Sequence, residues 1–110
     1  MPEETAAQEN RSASVTLAVR PVAPWRVVEV KALPGKRLFV RFVDGLTGFV
    51  DLSALIASPE AGVFARLRDR GLFEQVRVEM GAVAWPGELD LAPDAMHAEI
   101  RDHGEWRMEP

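Results

Sequence analysis

Two turn dipeptides within a run of β-forming residues limit most strongly what this chain can fold into. Pro34-Gly35 fits the central positions of a type II turn, and Asp44-Gly45 is a strong hairpin signal. The segments around them, WRVVEVKAL, RLFVRFV and LTGFVDL, are rich in β-branched and aromatic residues. These segments are therefore predicted to form a three-stranded antiparallel meander.

The turn at Asp44-Gly45 sets the predicted register of the second and third strands. Taken as a two-residue turn, it pairs Val43 with Leu46 and Val40 with Phe49. One face then carries Leu38, Val40, Phe42 and Phe49, and the other carries Phe39, Arg41, Val43, Leu46 and Val50. The second face is too apolar to be left in water, so a helix or a partner chain should cover it. Its five residues are the candidate partner surface.

The chain after the meander predicts helices and a second hairpin. Asp51 can cap the short turn LSALIA, and GVFARLRDRG has helical apolar spacing with Gly71 as its C-terminal stop. In FEQVRVEMGAVAWP, a type II′ turn at Gly81-Ala82 pairs Met80 with Val83 and Val78 with Trp85. The segment PDAMHAEIRDHG predicts a last helix, which Gly104 ends.

Length and composition fit one small domain. The 110 residues are 47% hydrophobic, which is enough for a single core. We expect a disordered or loosely ordered tail over 1–24, a single α+β domain over 25–104 and a C-terminal tail over 105–110. The predicted fold class is α+β: a small antiparallel sheet, with a three-stranded meander and a hairpin on its C-terminal side, packed against two or three short helices.

Composition also restricts the chemistry and the compartment. The chain has no cysteine, which excludes disulfides, thiolate metal sites and a cysteine nucleophile and favours a reducing compartment. No signal peptide and no apolar run of roughly 20 residues is visible, so a cytoplasmic protein is expected. The net charge of −4 argues against nucleic-acid binding by bulk electrostatics. Residues 25–43 nevertheless carry a balance of +4, and residues 44–110 a balance of −7.

The order of motifs resembles the bacterial family called domain of unknown function 2442. The matching blocks, in order, are KALPG with LFV, FVDG, GFVDL, GVF with LRD, FEQV, and WP with DLAPD. The resemblance covers about residues 25–100. Gly87-Glu88 stands where the family commonly has Asn-Gly, so we expect the turn chemistry of that loop to differ.

The resemblance implies a compact α+β domain without an established activity. Members are sometimes joined to a helix-turn-helix domain, and they are often encoded beside domain of unknown function 4160 in pairs proposed to be toxin and antitoxin. Too little sequence follows residue 104 for a helix-turn-helix domain, so this copy is expected to be the stand-alone form. The family's most recognisable segment makes Trp85, Asp90 and Asp94 a candidate signature loop.

No catalytic constellation is apparent, so we expect a non-enzymatic binding domain without metal or cofactor. The resemblance makes it an antitoxin-like or regulatory partner of another small, toxin-like protein, with self-association as the alternative and nucleic acid only indirectly involved. A second hypothesis is a metal-dependent hydrolase or nuclease; its candidate carboxylates are Asp44, Asp51, Asp90 and Asp94. Each of these acids also fits a turn, cap, loop or helix start. His97 and His103 are expected to be solvated.

A third hypothesis is a weak nucleic-acid-binding module. Phe39 lies between Arg37 and Arg41 on one strand face, which resembles a minimal stacking platform for a single strand. A half-buried strand flanked by arginines whose heads reach solvent gives the same pattern.

Overall fold

Two meanders and a set of short helices make up residues 23–110, the part of the chain that this computed structural model describes. The elements are β1 (Val27–Leu33), β2 (Arg37–Phe42), β3 (Thr47–Asp51), α1 (Ser53–Ala57), a 3-10 helix (Gly62–Arg68), α2 (Arg70–Phe73), β4 (Arg77–Glu79), β5 (Ala82–Trp85), β6 (Leu89–Asp90), α3 (Pro93–His103) and β7 (Glu105–Arg107). The predicted α+β class is confirmed. A tail was predicted over 1–24, and residues 1–22 of it lie outside the described part of the chain.

The first sheet contains four strands in the order β1-β2-β3-β7. Its first three strands form the predicted antiparallel meander, and β7 pairs in parallel with β3. Residues 105–107 therefore belong to the sheet, and the prediction of a tail there was wrong. Gly104, with φ of 78°, ends α3 as predicted and lets the chain turn back beside β3. Trp106 pairs with Val50 and packs against the core.

The predicted register of β2 and β3 was wrong by one residue. Phe42 N–H donates to Leu46 O at 2.8 Å, so the loop contains three residues with Gly45 at φ of 93°. A three-residue loop of this kind is common in hairpins, and a shift of one residue moves every side chain to the opposite face. Phe39 therefore pairs with Phe49, and Val50 is fully buried.

The second hairpin also has a different turn from the predicted one. Val78 pairs with Val83, and the central turn residues are Met80 and Gly81, with φ of 53° and 81°. Two positive φ values are the mark of a type I′ turn, which twists with the strands. Val78 and Val83 still share a face, but Met80 is 90% exposed instead of facing the core.

The helices depart from the predicted boundaries in the middle of the chain. GVFARLR forms a 3-10 helix, and Gly71 lies inside α2 instead of ending a helix, because Asp69 accepts a capping bond from Leu72 N–H at 3.2 Å. Asp51, the predicted cap of α1, accepts a hydrogen bond from Ser53 N–H at 2.9 Å, although the N-cap position itself is occupied by Leu52. None of the helices within residues 23–110 combines the length and the apolar composition that a membrane-spanning helix requires.

The core lies between the inner face of the four-stranded sheet and the other elements. Its largest fully buried side chains are Trp85, Phe42, Leu38, Leu52, Leu67, Met96 and Ile100. Gly48 allows α3 to approach β3, since a Cβ there would stand 2.4 Å from Ile100 Cγ2. The opposite, outer face of the sheet is the one left for other contacts.

Two loops, at Pro34-Gly35-Lys36 and Pro86-Gly87-Glu88, share one geometry. Each joins paired strands, and each holds its last two residues at positive φ, with Lys36 at 59° and Glu88 at 63°. A residue with a Cβ is strained in this left-handed region, and glycine is not. The second and third positions of both loops are thus conformationally demanding.

Glu88→Gly is expected to raise the free energy of unfolding by about 0.5–1 kcal/mol, because relief of left-handed strain exceeds the entropy that glycine adds to the unfolded chain. Urea denaturation measures the change. Glu88→Ala keeps the Cβ while removing the carboxylate, so it should give no gain. An equal gain in both variants would assign the effect to charge and contradict the backbone explanation.

Candidate binding surface

The outer face of the four-stranded sheet aligns side chains from four strands in rows. Lys31, Phe39, Phe49 and Glu105 occupy consecutive positions across β1, β2, β3 and β7. Alternation along a strand puts residues two apart on the same face. The outer face therefore consists of Glu29, Lys31, Leu33, Arg37, Phe39, Arg41, Thr47, Phe49, Asp51, Glu105 and Arg107.

An aromatic pair forms the centre of this face. The rings of Phe39 and Phe49 meet edge to face, with centroids 6.0 Å apart and an interplanar angle of 64°. The guanidinium carbon of Arg37 lies 5.2 Å from the Phe49 centroid, a distance at which a cation is attracted to the ring. Phe49 is 38% exposed, so this aromatic surface remains accessible to solvent.

Most charged residues around the aromatic pair lie next to a residue of opposite charge. Glu29 accepts a bond from Arg41 Nε at 3.0 Å and lies 3.5 Å from Lys31 Nζ. The Arg41 hydrogen bond holds the pKa of Glu29 below its usual value. The hydroxyl of Ser53, bonded to Asp51 at 2.6 Å, similarly lowers the pKa of Asp51. Both carboxylates are thus stabilised as anions next to basic side chains.

The structure brings only part of the predicted partner surface together. Phe39 and Arg41 lie on the outer face, and Val43 is exposed in the adjoining loop. Val50 is fully buried and Leu46 packs against the core, so their placement on this face was wrong. The cause is the one-residue shift in register, which also brings Phe49 to the outer face. Phe49 was missed because its position depended on the length of one loop.

The three residues of the hypothesised stacking platform lie in one row along β2. Arg37, Phe39 and Arg41 share the outer face, and the shifted register adds Phe49 beside Phe39. Arg37 contacts the Phe49 ring and Arg41 bonds Glu29, so both guanidinium groups already have partners within the sheet.

The four candidate carboxylates of the hydrolase hypothesis serve separate local structures. Asp44 lies in the β2–β3 loop, Asp51 at the end of β3, Asp90 in β6, and Asp94 in the first turn of α3. Among residues 23–110, no group of three or more metal-ligating side chains is close enough to hold an ion. The geometry of the described chain therefore gives the metal hypothesis no support.

His97 was expected to be solvated, and this prediction was wrong. It is 8% exposed; its Nε2 lies 2.9 Å from Asp44 Oδ2, and its ring packs edge to face on Phe42 at 4.8 Å. The pKa of Asp44 is lowered, first by the Leu46 N–H and then by the His97 bond. The pair fastens α3 to the β2–β3 loop. The sequence signal was the spacing of three between His97 and Ile100, which share a helix face.

The signature loop is largely scaffold. Trp85 is 1% exposed, and its indole N–H donates to Phe73 O at 2.9 Å. Trp85 pairs with Leu89, so the residues between them form the loop of a hairpin. Arg66 Nη2 donates to Gly87 O at 3.2 Å and holds the loop against the 3-10 helix. Asp90 and Asp94 are exposed, whereas Trp85 is buried, so the three do not present one surface.

His103, the second candidate histidine, lies on the exposed side of α3. Its Nε2 is 4.0 Å from Glu99 Oε1, one helical turn away. With 67% of its side chain exposed, it is solvated as expected.

Comparison with known proteins identifies the family. No curated protein and no solved structure matches the chain. A family model described as a protein of unknown function, DUF2442, matches residues 27–102, which include both sheets except β7. The chain belongs to the DUF2442 family.

Proposed function

We propose that this chain is a non-enzymatic, cytoplasmic binding domain, the antitoxin-like or regulatory member of a bacterial two-protein module. Its partner, another small protein, binds the outer face of the four-stranded sheet. The observation that carries this proposal is the solvent-accessible pair of Phe39 and Phe49, with Arg37 against its edge. Aromatic residues, phenylalanine among them, and arginine are enriched at protein–protein interfaces, where a few residues carry most of the binding energy.

The charge distribution favours a protein partner with basic character. On the outer face, four basic residues, Lys31, Arg37, Arg41 and Arg107, stand against three acids, Glu29, Asp51 and Glu105, so this face carries a balance of only +1 and the attraction for a basic partner comes from the rest of the chain. The whole chain carries −4, with its acidic residues concentrated after residue 43. Complementary charge speeds association and selects a partner of opposite sign.

Phe49→Ala is expected to weaken binding of the neighbouring gene product by about 30-fold, which corresponds to the loss of roughly 2 kcal/mol at a hot spot. The two proteins are first co-expressed and co-purified, and titration calorimetry then gives the affinity of each variant. Val63→Ala is the matched control, because Val63 is an apolar residue, 60% exposed, in the 3-10 helix. Its affinity should be unchanged.

Two results would contradict the proposal. The proteins could elute separately at low salt, where electrostatic attraction is strongest. Alternatively, Phe49→Ala could bind as tightly as Val63→Ala, which would place the interface elsewhere. Sedimentation of the chain alone shows whether it instead associates with a second copy, and sedimentation of Phe49→Ala shows whether that association uses the outer face.

A second candidate function is weak single-strand nucleic-acid binding, favoured by the adjacent rings of Phe39 and Phe49 between Arg37 and Arg41. Bases stack on such rings while arginines hold the phosphates. A gel shift with a single-stranded oligonucleotide at low salt tests this candidate. Its absence there excludes the function, because binding of this kind weakens as salt is added.

A further inference from the structure

A cavity of about 430 Å³ lies between the first Pro-Gly loop and α2. This volume is within the range of roughly 300–1,000 Å³ typical of small-molecule sites. The apolar part of its lining comes from Ala32, Leu33, Pro34 and Phe73. The cavity is therefore large enough for a small organic molecule and offers it an apolar wall.

Lys36 is the basic group fixed at this cavity. Its Nζ lies 3.3 Å from Arg68 O and 5.2 Å from the centre of the Phe73 ring, which forms part of the wall. An ammonium group has three donors, and the Arg68 carbonyl uses one of them. Lys36 thus brings a positioned positive charge with further donors to the cavity.

Arg70 and Glu74 complete the charged part of the lining. Arg70 Nε donates to Glu74 Oε2 at 3.0 Å, which leaves the terminal nitrogens of the guanidinium without a bond to that carboxylate. Together with Lys36, these groups give the lining a balance of one positive charge. Such a balance is matched by a ligand with one negative charge.

We propose that this cavity binds a small monoanionic carboxylate with an apolar body. The carboxylate accepts hydrogen bonds from Lys36 and Arg70, and the hydrocarbon part packs against Leu33, Pro34 and Phe73. Hydrogen bonds between charged partners are stronger than neutral ones and supply orientation, while burial of the apolar body supplies affinity. Neither Phe39 nor Phe49 lines this cavity, so the proposed carboxylate site does not depend on whether the outer face binds a protein.

The test uses hexanoate as the probe and hexanol as its uncharged counterpart, each titrated into the full chain and followed by amide NMR shifts. Hexanoate should give saturable shifts of the amides at 32, 33, 35, 36 and 70–74, and hexanol should bind at least about tenfold more weakly, as expected from the loss of a charge-assisted hydrogen bond.

Lys36→Asn should weaken hexanoate binding by about tenfold for the same reason. Asparagine tolerates positive φ, so the loop keeps its geometry. Lys31→Asn is the control: it removes the same charge from a lysine on β1 that is 65% exposed and outside the cavity, and it should bind as the unaltered chain does.

Several outcomes would overturn the proposal. These are the absence of saturable shifts at the cavity, equal binding of hexanol and hexanoate, and equal weakening by Lys36→Asn and Lys31→Asn. A native amide spectrum of each variant before titration shows that a lost interaction does not come from unfolding.

Discussion

Trp85→Ala is expected to lower the free energy of unfolding by about 3–5 kcal/mol, the usual cost of removing a large buried aromatic side chain. Trp85 is 1% exposed and lies 6.0 Å from Phe73, centroid to centroid. Its removal opens a cavity at the contact between β5 and α2. Since small domains are stable by only about 5–15 kcal/mol, this variant should be close to unfolded.

Trp85→Phe separates the packing contribution from the hydrogen bond. Phenylalanine retains most of the aromatic contact but leaves Phe73 O without the indole donor, which should cost about 1–3 kcal/mol. Urea unfolding followed by circular dichroism gives both values. If Trp85→Ala lost no more than Trp85→Phe, the ring would not be a main packing element and the expectation would fail.

Gly48→Ala is expected to destabilise the fold by about 1–3 kcal/mol, because the new methyl group overlaps atoms that have little room to move. A Cβ at this position lies 2.4 Å from Ile100 Cγ2 and 2.8 Å from Gly104 O. Relief of the overlap requires α3 to move away from β3. The His97–Asp44 bond, which fastens α3 to the β2–β3 loop, opposes that movement.

The matched control is Gly71→Ala, which makes the same substitution in α2. Its nearest neighbour is Asp69 Oδ1 at 3.3 Å, the oxygen that accepts the Leu72 N–H, and a shift of a few tenths of an ångström relieves that contact. Helix propensity favours alanine in α2, so stability should change much less than in Gly48→Ala. The cost of Gly48→Ala should also shrink in an Ile100→Ala background, because the closest contact is gone. Equal costs in both backgrounds, measured by a double-mutant cycle in urea, would rule out this clash as the cause.

The sequence was a good guide to where strands and turns occur and a poor guide to register. Asp44-Gly45 and Gly81 do lie in hairpin loops, but Asp44-Gly45 fits a two-residue or a three-residue loop, and Gly81 fits either central position of a two-residue turn. In the first hairpin, a change of one residue in loop length exchanges the faces of Phe49 and Val50. No strand was predicted between Trp85 and the last helix, because the two-residue β6 is too short to leave a pattern. Gly87 and Glu88 occupy the left-handed positions of that hairpin loop.

The candidate surface was predictable only where it depended on one strand. Arg37, Phe39 and Arg41 alternate along β2, so their common face follows from the backbone alone. Phe49 and His97 required knowledge of contacts between distant segments. His97 in particular was assigned to solvent because its partner, Asp44, is far away in the sequence and already had a local role in the loop.

The parallel pairing of β7 with β3 has a consequence for how the domain opens. These two strands are neighbours in the sheet but far apart in the sequence, because α1, α2, the three-stranded sheet and α3 all lie between them along the chain. The two meanders need only local loop closure, whereas β7 can join only after α3 has returned the chain across the core. Separation of β7 from β3 exposes one edge of the sheet but leaves the core contacts of α3 and the His97–Asp44 bond in place, so we expect loss of this three-residue strand to be the first step of partial unfolding.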